Sequence, residues 1–296
     1  MKFGFVIPQN WGLSDPQEVV QFGVRAEELG YDSVWVNHHI LNVGYIYDRL
    51  EDRPYYDALT VLTWVAAMTE RVRLGTTVLV LPYLNPLVLA KTIATLDVMS
   101  GGRVSLGVGV GMLREENDAL GSDFTTRGAY ADESIEVMRD LWTSEDPSYN
   151  GRFFDYSGFK FSPKPVQTPG VPILIGGMSR AAMRRAARLG DAWHPNGGSV
   201  TDMRERFETV RTMCAEFDRD PDEVTLVVRG ELDILDTPSD NPSTPMIGTP
   251  DQLLRTIEGY ESIGVSEIVL QVGTDDVDRI RRTQEAFAER VLSRIG

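Results

Sequence analysis

The 296-residue chain has one cysteine, Cys214, which excludes an internal disulfide and any metal site built on four thiolates. Lysine is nearly absent: Lys2, Lys91, Lys160 and Lys164 stand against 25 arginines, and none follows an expected strand closely enough to serve as a Schiff base. Only three histidines are present, with no His-x-His pair, so the usual ligand set of a metallohydrolase barrel cannot be assembled and no metal is expected. No Gly-x-Ser-x-Gly elbow occurs, which removes the common route to a nucleophilic serine. Positive charge is in deficit, 29 basic residues against 44 acidic ones, and a net charge of −15 argues against DNA or RNA as partner. No apolar run approaches the roughly 20 residues of a membrane span. The opening Met1-Lys-Phe-Gly-Phe-Val-Ile reads as a first strand rather than a secretion signal, so a cytoplasmic protein is expected.

What is present is regular alternation. Short β-branched runs alternate with amphipathic segments almost throughout, the pattern of parallel strands joined by helices. Strands are expected at Phe3–Ile7, Asp32–Val36, Arg73–Val80, Arg103–Val108, Pro172–Ile175, Ala192–Trp193, Val224–Val228 and Glu267–Val272. Eight strand–helix units in about 290 residues predict one (β/α)₈ (TIM) barrel domain over residues 1–296. The alternative, an open doubly wound sheet, would carry a glycine fingerprint after its first strand, where this chain has Pro8-Gln9-Asn10-Trp11. Residues 37–54 read as a long polar and aromatic loop. Residues 144–170, after strand four and its helix, read as an insertion with a hairpin around 152–161. Residues 229–249 read as a long mobile loop after strand seven.

In such a barrel the reacting groups project from the C-terminal ends of the strands. His38 and His39 follow strand two and His194 follows strand six, each either a proton-transfer group or a hydrogen-bonded structural one. A mixed metal site of His39, His194 and Glu115 is the weaker alternative. The turn Gly107-Val108-Gly109-Val110-Gly111 after strand four suits both close backbone packing and a cofactor at the mouth. Gly176-Gly177-Met178-Ser179-Arg180 is sharper, because it runs from a strand end into a helix N-terminus. There, free N–H groups, the Ser179 hydroxyl and the Arg180 charge favour an anion such as a phosphate. Trp11, Tyr45, Tyr47, Tyr55, Tyr83 and Met112 suggest an apolar, aromatic pocket.

Several of these runs resemble the luciferase-like oxidoreductases over nearly the whole chain. They are Leu74 to Lys91, Leu96 to Arg103, Leu106 to Glu116, Pro163 to Gln167, Ile175 to Ser179 and Arg188 to Pro195. The most specific resemblance is to the coenzyme F420-dependent, actinobacterial subgroup of that superfamily. It implies a cofactor across the barrel mouth, with a non-proline cis peptide at Thr77-Val78 under its ring. It also implies Gly176, Gly177, Met178 and Ser179 at the phosphate-bearing tail, to which the residue reading adds Arg180 there and Gly109 of the glycine turn at the mouth as cofactor-binding positions. His39 matches the histidine beside the ring in sugar-phosphate and alcohol dehydrogenases of the group, where it moves the proton that accompanies hydride transfer. Two positions depart from the sugar-phosphate pattern: Val43 replaces a tryptophan and Met112 replaces an active-site glutamate, which argues against glucose-6-phosphate oxidation.

Three functions follow as expectations. The first is an F420-dependent oxidoreductase passing a hydride between the deazaflavin and a small, hydrophobic organic substrate. The second is a reduced-FMN-dependent monooxygenase on the same fold. The third, of another class, is a non-catalytic flavin-binding protein. The resemblance also implies a homodimer.

Overall fold

The computed structural model describes residues 1–295. Eight parallel strands close on themselves: β1 (Lys2–Val6), β2 (Ser33–Val36), β3 (Arg73–Thr76, resumed at Leu79–Val80), β4 (Val104–Gly109), β5 (Ile173–Gly176), β6 (Ala192–His194), β7 (Thr225–Glu231) and β8 (Val265–Gln271). Each strand pairs in parallel with the next, and β8 returns to β1 with Phe3 opposite Ile268. The expected barrel is therefore observed.

Among the described residues ten helices accompany the strands: α1 (Pro16–Glu28), α2 (Tyr45–Leu50), α3 (Ala58–Met68), α4 (Pro86–Ser100), α5 (Arg114–Ala119), α6 (Arg127–Thr143), α7 (Arg180–Leu189), α8 (Val200–Cys214), α9 (Pro250–Ser262) and α10 (Val277–Arg290). Their starts are written locally. Asp15, Asp57, Asn85, Ser179, Ser199, Thr249 and Asp276 each accept a first-turn N–H, and Thr249 with Gln252 completes a capping box. Such caps are worth about 1 kcal/mol each. Helices α2, α5 and α6 have no side-chain cap. The first two are six residues long and lie in loops at the C-terminal mouth, too short for helical periodicity to show in sequence.

Two apolar layers hold the barrel. The larger lies between strands and helices and includes Phe5, Leu62, Leu74, Ile93, Leu106, Ile173 and Phe287. The smaller fills the inside of the barrel with Val6, Trp35, Leu174, Ala192, Val227 and Val269. Trp35 fits only because Gly4 and Gly75 flank it: a methyl group on either would overlap the indole. The indole N–H donates to Ser33 Oγ at 2.6 Å, and Ser33 in turn donates to the buried Glu267 carboxyl.

The irregular segments are tied down. Between α6 and β5, Tyr149–Asn150 pairs antiparallel with Asp155–Tyr156, a hairpin that starts a few residues earlier than the sequence suggests. After β7, Asp233–Ile234 pairs in parallel with Ile247–Gly248, which joins the two ends of the long loop. The final helix stops at Arg290, and a 3₁₀ turn covers Leu292–Arg294.

Candidate active site

The C-terminal mouth is organised around the break in β3. The Thr77–Val78 peptide is cis. Thr77 is held from three sides: its N–H donates to Val36 O at 2.8 Å, its hydroxyl to His194 Nε2 at 2.9 Å, and its carbonyl accepts from Arg229 Nη1 at 3.1 Å. Val78 is half-buried at the mouth. The glycines of the neighbouring strands make room for it. A methyl on Gly109 would lie 2.7 Å from Val78 Cγ2, one on Gly176 would lie 2.8 Å from Cγ1, and one on Gly107 would overlap the Thr76 carbonyl. The glycine-spaced turn is thus accounted for by packing around this break.

The three histidines separate into different roles. His38 is buried, and its Nδ1 accepts from the Val80 N–H at 3.1 Å. His194 Nδ1 faces the Val227 carbonyl at 2.8 Å, so it carries the proton and leaves Nε2 to accept from Thr77. Burial pulls both pKa values down to about 4, so both are neutral braces of the β3 break.

His39 differs. Its Nδ1 lies 2.7 Å from Glu116 Oε2, and its Nε2 lies 2.9 Å from the Tyr45 hydroxyl. Glu116 is buried and also accepts the backbone N–H groups of Ile40 (2.6 Å) and Leu41 (3.1 Å). Burial alone would raise the Glu116 pKa, but the His39 bond and these N–H donors outweigh it and hold the carboxyl below the ordinary range. An ionised Glu116 fixes the proton on Nδ1, which leaves Nε2 as the basic nitrogen, capped by Tyr45. Tyr45 is 47% exposed, so this end of the chain opens to the mouth.

Glu116, not Glu115, meets His39; Glu115 is exposed. At i+3 and i+4 from Leu113, Glu116 and Asn117 share one face of α5 and both are buried, a spacing that could be read only once the short helix was known. Among the described residues no group of three His, Cys, Asp or Glu converges as a metal site would.

The sequence expected Gly176, Gly177, Met178, Ser179 and Arg180 at one place, and they do lie together between β5 and α7. Gly177 has φ +109°, Ser179 accepts from Ala182 N at 3.2 Å, and Gly177, Ser179 and Arg180 are exposed. The unpaired first-turn N–H groups of α7 therefore face an open surface.

A cavity of about 470 Å³ opens at the ends of β6 to β8. Of the aromatics expected to line a pocket, Trp11 does so, beside Arg49, Arg229, Gln271, Ser243 and Thr244. Tyr47 and Met112 are exposed, while Tyr83 accepts from Asn117 Nδ2 at 3.2 Å. The lining is thus more polar than the aromatic residues suggest. Several buried polar atoms at the ends of β1 and β2 and in the loop after β2 have no partner: Gln9 Oε1, Asn10 Oδ1, Trp11 Nε1, Asn37 Nδ2, Arg49 Nε and Tyr55 OH. Buried polar atoms are seldom left unpaired, so their concentration here fits a polar ligand in the mouth.

Fold and site together define a (β/α)₈ barrel with a ligand-sized polar mouth and a Glu–His–Tyr hydrogen-bonded chain at its edge. Residues 1–241 match the model of the luciferase-like monooxygenase family, and the chain belongs to that family. It is 37% identical over 192 residues to the F420-dependent glucose-6-phosphate dehydrogenase of Amycolatopsis mediterranei (strain U-32), covering 64% of this chain and 56% of that protein. The match thus spans little more than half of that relative's length. It is 30% identical over 163 residues to the FMNH(2)-dependent dimethylsulfone monooxygenase of Pseudomonas putida, covering 54% and 45%. Among solved structures, an F420-dependent secondary alcohol dehydrogenase in complex with an F420-acetone adduct superposes with TM-score 0.82 at 19% identity, over 99% of this chain and 98% of that one. That likeness bears on the fold alone.

Proposed function

We propose that this protein is an F420-dependent oxidoreductase that moves a hydride between the deazaflavin and a small organic substrate. The observation that carries the reading is the chain Glu116–His39–Tyr45, which keeps a basic imidazole nitrogen at the edge of the mouth. Two F420-dependent glucose-6-phosphate dehydrogenases among the relatives support the choice of cofactor. The orphaned polar atoms of Gln9, Asn10 and Asn37 at the ends of β1 and β2 suit a polar ring system. In this reading Thr77, Val78 and Gly109 support the ring, and Gly176, Gly177, Met178, Ser179 and Arg180 take the tail phosphate. Bound deazaflavin supplies a two-electron hydride acceptor or donor. For an alcohol substrate, the Tyr45 hydroxyl and His39 Nε2 would take up the hydroxyl proton. Glu116 stabilises the imidazolium that results. The whole chain acts as one domain.

Reduced FMN is the second reading, favoured by the FMNH(2)-dependent relative of Pseudomonas putida. Fluorescence titration with F420 and with FMN separates the two. We expect micromolar F420 binding, and tight FMN binding with none for F420 would sink the first reading. His39→Ala should lower turnover about 100-fold or more with little change in cofactor affinity. An unchanged rate would remove His39 from the chemistry.

A further inference from the structure

Arg49 and Arg229 both line the cavity, and neither meets a carboxylate among the described residues. Arg53, four residues beyond Arg49, is by contrast paired with Asp275, and Arg279 with Asp233, each at 2.7 Å. Arg49 lies over the Trp11 ring at 4.2 Å, gives one hydrogen bond to Asn10 O at 2.9 Å, and has its Nε buried without a partner. Arg229 gives one bond to Thr77 O and one to Gln271 Oε1. Both guanidiniums therefore meet only neutral acceptors, and most of their N–H donors stay free. A buried cation without a counter-charge is costly, and burial lowers the Arg229 pKa to about 10. Glu231, the one acid of the lining, has its carboxylate beside Gly273 and forms no ion pair with either arginine.

Helix α2 connects this cavity to the reacting group. Tyr45 and Arg49 are four residues apart on one face of α2, so the residue that caps His39 Nε2 and the cavity arginine share a single helical turn. Tyr55, with its hydroxyl unpartnered, packs edge-on against His39 at 5.9 Å.

We propose that Arg49 and Arg229 grip the anionic end of the organic substrate, a carboxylate or sulfonate, while Trp11 and Pro245 pack against its apolar body. Substrate class rests here on the oxidoreductase reading above. A planar guanidinium is suited to two-point contact with such an oxyanion, and the two arginines together replace the counter-charge that the protein lacks.

Thermal-shift and calorimetric titrations in chloride buffer test this, with benzoate and benzenesulfonate as anionic probes and benzamide and benzyl alcohol as neutral isosteres. The anions should bind saturably and raise the melting temperature, and the neutral pair should not. Arg49→Met should weaken benzoate binding about ten- to a hundredfold, the worth of one charged hydrogen bond, and Arg49→Lys should lose less. Wild-type discrimination between benzoate and benzamide stands even if a variant fails to fold. Equal binding of both would overturn the proposal, as would unchanged benzoate affinity in folded Arg49→Met and Arg229→Met. Competitive displacement of benzoate by F420 would also overturn it, since the cavity would then belong to the cofactor. Benzoate binding without any F420 binding would support the anion site while sinking the oxidoreductase reading. F420 binding without charge discrimination would do the reverse.

Discussion

Lowering the pH from 7 to 5 should loosen the barrel at the β3 break, through His38 and His194. These histidines anchor Val80 and Thr77, on either side of the break, and burial lowers both from 6.5 to about 4. An unfolded chain takes up protons near pH 6.5 that the folded chain refuses until about pH 4. Their contribution is therefore complete above the unfolded pKa and is lost as pH falls toward the folded one. Integrated between pH 7 and pH 5, each histidine removes about 2 kcal/mol of stability, about 4 kcal/mol together. Glu267 acts in the opposite sense. Burial raises its pKa, so its contribution is present at low pH and is lost as pH rises through the folded value. The histidine share is therefore read as a difference. Urea unfolding of wild type and His194→Gln at pH 7 and pH 5 should show the wild type losing about 2 kcal/mol more than the variant over that interval. The same pH dependence in both proteins would refute the reasoning that His194 is held neutral by the fold.

Two further outcomes follow from the site. Glu116→Gln keeps the shape of the side chain but removes the charge that steadies His39 during proton transfer; turnover should fall about ten- to a hundredfold with cofactor affinity preserved, and an undiminished rate constant in steady-state assays would show that Glu116 is structural only. Gly107→Ala places a methyl group against the Thr76 carbonyl and should cost about 3 kcal/mol or more, or prevent folding, whereas Gly101→Ala, with open space around it, should cost less; equal denaturation midpoints for the two variants would show that the β3 break can shift.

Much of the fold was legible because it is written locally. Caps such as Asp15, Asn85 and Thr249 fix where helices begin, and β-branched runs fix the strands, so element order alone sufficed for a closed barrel. Helices α2 and α5 escaped notice because six residues show no period. That gap mattered for the site, since α5 carries Glu116 and α2 carries Tyr45 and Arg49.

The sequence by itself determined the barrel, the family and the cluster of chemistry-bearing residues at the strand ends, since these depend on periodicity, turns and motif. Only the tertiary structure gave the three histidines different surroundings. His38, His39 and His194 are the same residue type at equivalent strand ends, and their partners come from 42, 77 and 117 positions away. The same holds for charge. Nothing in the sequence marks Arg49 and Arg229 among 25 arginines. What sets them apart is that the fold brings both to the wall of one cavity, with no carboxylate paired to either.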